Sequence, residues 1–199
     1  MKVKVLVGVI IIAVIGLTLF YLQSGGKKIN VAIPENIVNA KEIVKFVKPY
    51  VDDYFKTSDY YAGKIFMTLN KDRRGKVEIW YKDKKKDRNG VPNIITVEVN
   101  TNIRKIVRII KQERNSKIEP GEINIDNWTI DSSDAIDIAL KRINKDITDY
   151  TVIYLSGTDL FLDGNETWDV NLFNENTKKS AYVKIDAYTG EVYKCQEKG

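Results

Sequence analysis

The chain has 199 residues, of which 43% are hydrophobic and 30% charged, and a net charge of +5; this is enough apolar content for one or two small packed domains and too much for a disordered tail. It holds no histidine, which excludes Ser-His-Asp and Cys-His nucleophile systems and the HExxH zinc site, because each needs an imidazole as base or ligand. Its one cysteine, Cys195, excludes an intrachain disulfide or a cysteine metal cluster, and no imidazole stands near it to activate the thiol.

Two of the 32 basic residues, Lys2 and Lys4, precede an uncharged run from Val5 to Leu22, which leaves 30 basic against 27 acidic residues in the rest. That balance does not single out nucleic acid as a partner, since nucleic-acid binding concentrates basic residues on one face. The run at 5–22 spans about 27 Å as a helix, close to the thickness of a bilayer's hydrocarbon core, and has no polar face. It predicts a single transmembrane helix behind a cytoplasmic stub at 1–4. Lys2 and Lys4 place the amino end in the cytoplasm and everything after Gly26 outside, so the protein is expected in the cell membrane as a single-pass envelope protein. The alternative is a cleaved signal peptide, with Ser24-Gly25-Gly26 as the small residues a peptidase cuts; the apolar run is longer than the usual signal core. Residues 23–30 read as a flexible linker. Two N-x-Thr triplets, at Asn127 and Asn165, fit an exported chain.

From Asn39, apolar residues Ile43, Val44, Val47, Tyr50, Val51 and Tyr54 recur at helical spacing, and Pro49 predicts a kink or break near Lys48. Strands are predicted at Gly63 to Leu69, Lys76 to Tyr81 and Ile94 to Val99, with turns at Asp72 to Gly75 and Arg88 to Pro92. After Val99, either a turn leads to a further strand or the chain enters a helix over Ile103 to Glu113. Residues 115–126, polar and containing Pro120-Gly121, read as a linker between a first module at 31–114 and a second at 127–199.

In the second module Ser132-Ser133-Asp134 supplies an N-capping hydroxyl before a helical stripe of Ala135, Ile136, Ala139, Leu140 and Ile143. Trp168-Asp169-Val170-Asn171-Leu172 and Val183-Lys184-Ile185 alternate as half-buried strands, and Asp186 with Gly190 forms a hairpin turn. The two modules overlie each other. Ile95 to Asn100 and Lys105 to Val107 fall on Ala181 to Asp186 and Glu191 to Tyr193 at an offset of 86, with Arg104 where the second copy has Gly190; Asn39 to Lys48 falls on Ser132 to Lys141. The fold class expected is α+β: a transmembrane helix, then two tandem modules of one helix on an antiparallel sheet.

The helix at Ser132 to Leu140, the strand at Trp168 and the hairpin from Val183 to Val192 resemble the PepSY domain, over the last third of the chain. Ser132, Ala135, Ala139, Trp168, Asp186 and Gly190 carry the resemblance. It implies a small helix-plus-sheet module without catalytic residues or cofactor, found in protease propeptides and membrane-anchored envelope proteins, with binding or inhibitory roles. The layout of anchor, linker and two modules is similar to single-pass envelope proteins of the TseB-like group. The expected function is therefore non-enzymatic: binding and modulating another envelope protein, such as a protease or a wall-building enzyme.

A different reading starts from the charge-dense run Lys71 to Arg88. There Lys82, Lys84, Lys85, Lys86 and Arg88 surround Trp80, as in a hairpin that holds an anionic polymer or lipid headgroups. Asp72, Asp83 and Asp87 cut that field, which is also what two solvated loops would show. Asp159, Asp163, Glu166 and Asp169 form an acidic cluster without the D-x-D-x-D-G order of a calcium loop, so no metal site is assigned to it.

Overall fold

The computed structural model describes residues 27–56, 59–86, 92–112, 121–143, 152–159 and 166–199. The predicted transmembrane segment lies outside them. No helix among the described residues is long and apolar enough to cross a membrane.

Among the described residues nine strands and two α-helices follow one another as β1 (Lys27–Ala32), α1 (Ala40–Phe55), β2 (Tyr60–Asn70), β3 (Gly75–Lys86), β4 (Pro92–Asn100), β5 (Lys105–Gln112), α2 (Ser132–Arg142), β6 (Val152–Asp159), β7 (Glu166–Phe173), β8 (Ser180–Asp186) and β9 (Val192–Lys198), with one 3-10 turn at Ile125–Asn127. The α+β class is the one the periodicities imply. The modules, however, do not carry separate sheets. All nine strands form one antiparallel sheet in the order β1-β5-β4-β3-β2-β6-β7-β8-β9, because β2 pairs with β6 over seven positions, Lys64 opposite Thr158 through Asn70 opposite Val152. Each module thereby covers a strand edge that would otherwise stand open.

Both helices lie on one face of this sheet, over a single continuous core that takes in Ile43, Val47, Ile65, Met67, Val77 and Ile79 from the first half and Ala135, Ala139, Trp168, Val170 and Val183 from the second. Shifted by 92 residues, the buried positions Ala40, Ile43, Val47 and Val51 of α1 fall on Ser132, Ala135, Ala139 and Ile143, which are buried in turn. The register is one residue from that read in the sequence, and the caps explain why. Asp131, not a serine hydroxyl, caps α2 by accepting from Ser132 N at 2.6 Å, and Asp134 reaches back to Asp131 N at 3.3 Å; in α1, Glu42 does the same to Asn39 N. Asn39 and Asp131 are thus equivalent.

Three further expectations are corrected and one open alternative is settled. Pro49 neither breaks nor ends α1, which runs on to Phe55: Pro49 is exposed, and burial of Val47 and Val51 on either side of it offsets the lost backbone bond. Residues 27–30, read as linker, are the start of β1, held against β5. The stretch after Ile103 is strand, not helix, because Arg104 takes a left-handed φ of 51° and turns the chain back. Residues 121–126, read as interdomain linker, are packed, with Ile123 and Ile125 buried.

The β4–β5 and β8–β9 turns are built alike. Asn100 Oδ1 accepts from Asn102 N at 3.0 Å and Ile103 N at 3.3 Å, and Asp186 Oδ1 accepts from Tyr188 N and Thr189 N at 2.8 Å each. Each turn then closes on a residue with positive φ, Arg104 at 51° and Gly190 at 77°. The φ of 77° favours glycine at 190, and a Cβ there would also make a tight 3.2 Å contact with Ile130 Cδ1.

Candidate functional site: a joint, a free edge and a basic end

The halves are joined at the amino ends of their helices and by a strap from Gly121 to Asp131. Ser132 is buried at the start of α2 and its hydroxyl accepts from Ala40 N, the first residue of α1, at 3.0 Å; Asp131 also accepts from Lys41 N at 3.4 Å. Desolvation raises the Asp131 carboxyl above the ordinary aspartate value, against the lowering effect of these amides. In the strap, Ile123 N donates to Ala62 O of β2 at 2.9 Å, while Glu166 of β7 accepts from Asn124 N at 2.7 Å and from the Trp128 indole. Trp128 packs edge-on against Trp168, centroids 4.7 Å apart, and Trp168 Nε1 donates to Ile130 O at 2.9 Å. The Lys41 ammonium donates to Trp128 O. Sequence reasoning placed Trp168 in the core, where it is fully buried, but gave Trp128 only as part of a sequon. The one signal for the joint was Glu166, an acid at the start of a strand, which accepts from one indole and one backbone amide of the strap.

The acidic cluster does not converge. Asp163 and the Asp159 side chain lie outside the described positions; Glu166 serves the strap, and Asp169, three residues on and so on the opposite face of β7, accepts from the Tyr182 hydroxyl at 2.6 Å. Among the described residues no three His, Cys, Asp or Glu side chains are grouped to hold a metal ion.

Asp186 is buried in its turn. Burial pushes its carboxyl up, and the Tyr193 hydroxyl with the Thr189 and Tyr188 amides outweighs that, so the net shift is below the ordinary aspartate value. A carboxyl depressed in the folded state stabilises above its unfolded pKa of about 3.9, and that contribution is lost as pH falls through the folded pKa. Asp186→Asn, which keeps an acceptor for the turn, is expected to cost roughly 1 kcal/mol at pH 7. It should also flatten the loss of stability with acid below pH ~4, read from urea midpoints at stepped pH.

The charge-dense run at Lys71 to Arg88 is not one patch. Arg73 and Arg74 form the β2–β3 turn, and the 11 residue steps from Arg74 to Lys85 follow strand β3 for roughly 36 Å, so the two basic groups sit at opposite ends of the sheet. At the first end Arg73 pairs with Asp137 of α2 and Arg74 lies 4.0 Å from Glu35. At the other, Lys84 lies 3.7 Å from Glu122 and Lys85 4.0 Å from Asp59, while Lys82 is buried with its ammonium 5.7 Å from the Tyr61 ring centroid. Trp80 faces away from the helices with Lys64 at 5.6 Å, on the same side as the Glu98–Arg108 pair of β4 and β5 at 2.6 Å. Lys86 ends β3, and Arg88 lies outside the described residues.

At the far edge of the sheet, β9 pairs with β8 alone among the described residues. Its residues from Tyr193 to Lys198 are all exposed, Tyr193 at 45%. Cys195, exposed, lies 4.0 Å from Arg142 O. With no second strand beside it among the described residues, this seven-residue strand is a template for another, and its charged residues are Lys194, Glu197 and Lys198.

The stretch that runs from the strap through α2 to β9 is where the sequence matches a known family. Residues 129–195 match the PepSY family model, described as the peptidase propeptide and YPEB domain. The PepSY segment begins at Thr129 in the strap and ends at Cys195 in the open edge strand. The fold as a whole extends further. A crystal structure described as a "putative lipoprotein" from Clostridium difficile 630 superposes on 81% of this chain and 93% of its own, with a TM-score of 0.54 at 12% identity, a likeness of fold alone. That coverage takes in both halves. No curated protein matches in sequence.

Proposed function

We propose that the chain is a non-enzymatic, membrane-anchored extracytoplasmic protein whose PepSY segment binds and modulates another envelope protein, holding an extended segment of it along β9. The observation that carries this reading is the open edge itself: six successive exposed residues on the last strand of a nine-stranded sheet, within the matched segment. Strand addition draws its affinity from main-chain hydrogen bonds and its selectivity from alternate side chains, here Tyr193, Cys195 and Glu197 on one side and Lys194, Gln196 and Lys198 on the other. The family description names peptidase propeptides, which makes a peptidase the first partner to test. The apolar run at 5–22 supplies the anchor in this reading, and the structural neighbour's description as a lipoprotein belongs to the same compartment.

Cys195 allows a direct test without engineering a site. Crosslinking of the full-length protein in its own membranes is expected to capture a specific envelope protein. Prior conjugation of Cys195 with a bulky polymer maleimide should abolish that capture, and Cys195→Ser treated identically should keep it. Capture that survives conjugation would place the contact elsewhere.

A further inference from the structure

The direction of β1 ties the predicted anchor to the basic end of the sheet. Lys27 pairs with Ile109, Ile109 with Val97, and Val97 with Ile79, each pair antiparallel, so β1 runs opposite to β3 and its first residue points toward the carboxyl end of β3. From the row of Ile79, β3 continues six residues to Lys85, about 20 Å further in that direction. The tether between the apolar run and β1 is Gln23 to Gly26, and the five residue steps from Leu22 to Lys27 reach at most ~18 Å fully extended. Adding a headgroup layer of about 5–7 Å does not make room for the overhang to stand clear of the membrane. With β1 along the bilayer normal, the tether is too short to lift this end away.

That end has the chemistry of a bilayer surface. Lys28, Lys56, Lys84 and Lys85 are exposed there. Their acidic neighbours Asp53, Asp59 and Glu122 hold them only as solvent-exposed pairs, which are weak and exchangeable for a phosphate. Lys28 lines a groove of about 310 Å³ with Ile29, Tyr50, Asp53, Tyr54 and Ile109, and Phe55 stacks on Tyr60 at 5.1 Å beside it. Amphipathic aromatic rings and lysines together are the side chains that settle at the headgroup level.

We propose that the carboxyl ends of α1 and β3 dock this domain onto the anionic headgroups of the membrane that holds its own anchor, through Lys28, Lys84 and Lys85 with Tyr50 and Tyr54. The proposal rests on the anchor of the preceding section. Docking fixes the sheet's tilt and turns the opposite end, with the helix amino termini and the Thr101–Arg104 turn, away from the bilayer.

The test uses the full-length Cys195→Ser chain in phosphatidylglycerol/phosphatidylcholine vesicles. A fluorophore is placed at Asn93→Cys, at the basic end of β4, or at Asn102→Cys, at its other end, and is quenched by nitroxides on the lipid headgroups. Quenching is expected to be several-fold stronger at 93 than at 102. Each lysine at an anionic surface is worth roughly fivefold in occupancy, so Lys84→Glu with Lys85→Glu should lower the docked population at least about 30-fold and equalise the two sites. Equal quenching in the unaltered chain, with the protein retained through a carbonate wash, would overturn docking and leave the anchor standing. Stronger quenching at 93 that persists after charge reversal would overturn the headgroup contact. Release by carbonate would remove the anchor, and docking with it.

Discussion

Replacing Trp128 by alanine is expected to lower the unfolding free energy by about 3–5 kcal/mol, the range for loss of a large buried side chain. Three losses combine at this residue: apolar burial, the edge-on contact with Trp168, and the indole donor to Glu166. The loss should fall on both halves at once, because Trp128 O also receives Lys41 of α1 and the strap is bonded to β2 through Ile123. Urea unfolding followed through Trp80 in the first half and Trp168 in the second should therefore show coincident transitions that move together. A loss under ~1 kcal/mol, or transitions that separate, would mean that the strap is only a tether. A double-mutant cycle with Glu166→Gln isolates the indole–carboxylate part, since residues in direct contact are where additivity fails.

The second large effect concerns the boundary drawn from sequence. A chain of residues 127–199 alone is expected not to fold to a stable monomer, whereas residues 27–199 should. Cutting at 127 removes all seven pairings of β6 with β2, the burial of Ile123 and Ile125, and the bond from Ala40 N to Ser132. At roughly 0.5–1.5 kcal/mol net per backbone hydrogen bond the lost ladder is worth several kcal/mol, comparable with the whole stability of a small domain. It also exposes β6 as a new edge, so the fragment should associate as its concentration rises. Sedimentation and near-ultraviolet dichroism of the two chains decide it. A monomeric fragment with a cooperative transition matching the longer chain would show that the PepSY segment stands alone.

The legible parts of this protein were those governed by local periodicity. The stripe of Ala135, Ile136 and Ala139 and the alternation of Trp168, Val170 and Leu172 each report which side of one element is buried, and the core has them there. The Asp186 to Gly190 turn was readable because its chemistry is contained within five residues. Its counterpart at Asn100 to Arg104 was left open between turn and helix, because an arginine at positive φ carries no local signal: the ladder between β4 and β5 imposes that conformation on it.

What the linear chain could not carry was the meeting of distant segments. The sequence read a serine as the cap of its own helix, but Asp131 caps α2 and Ser132 serves the other helix, 92 residues away, which needs both helices laid on one sheet. Polar composition made residues 121–126 look like a linker, yet Ile123, Ile125 and Trp128 needed only a strand end with a carboxylate, Glu166, to become the clasp between halves. The basic residues from Lys71 to Arg88 looked like one patch because sequence distance is not spatial distance along a strand. The amino-acid sequence by itself determined the class of elements, the apolar amino-terminal run and the PepSY likeness, since these rest on neighbouring residues. Only the tertiary structure decided that two modules share one sheet, that β9 pairs with β8 alone among the described residues and that β1 begins toward the basic end of β3, because strand pairing is a choice among partners far apart in the chain.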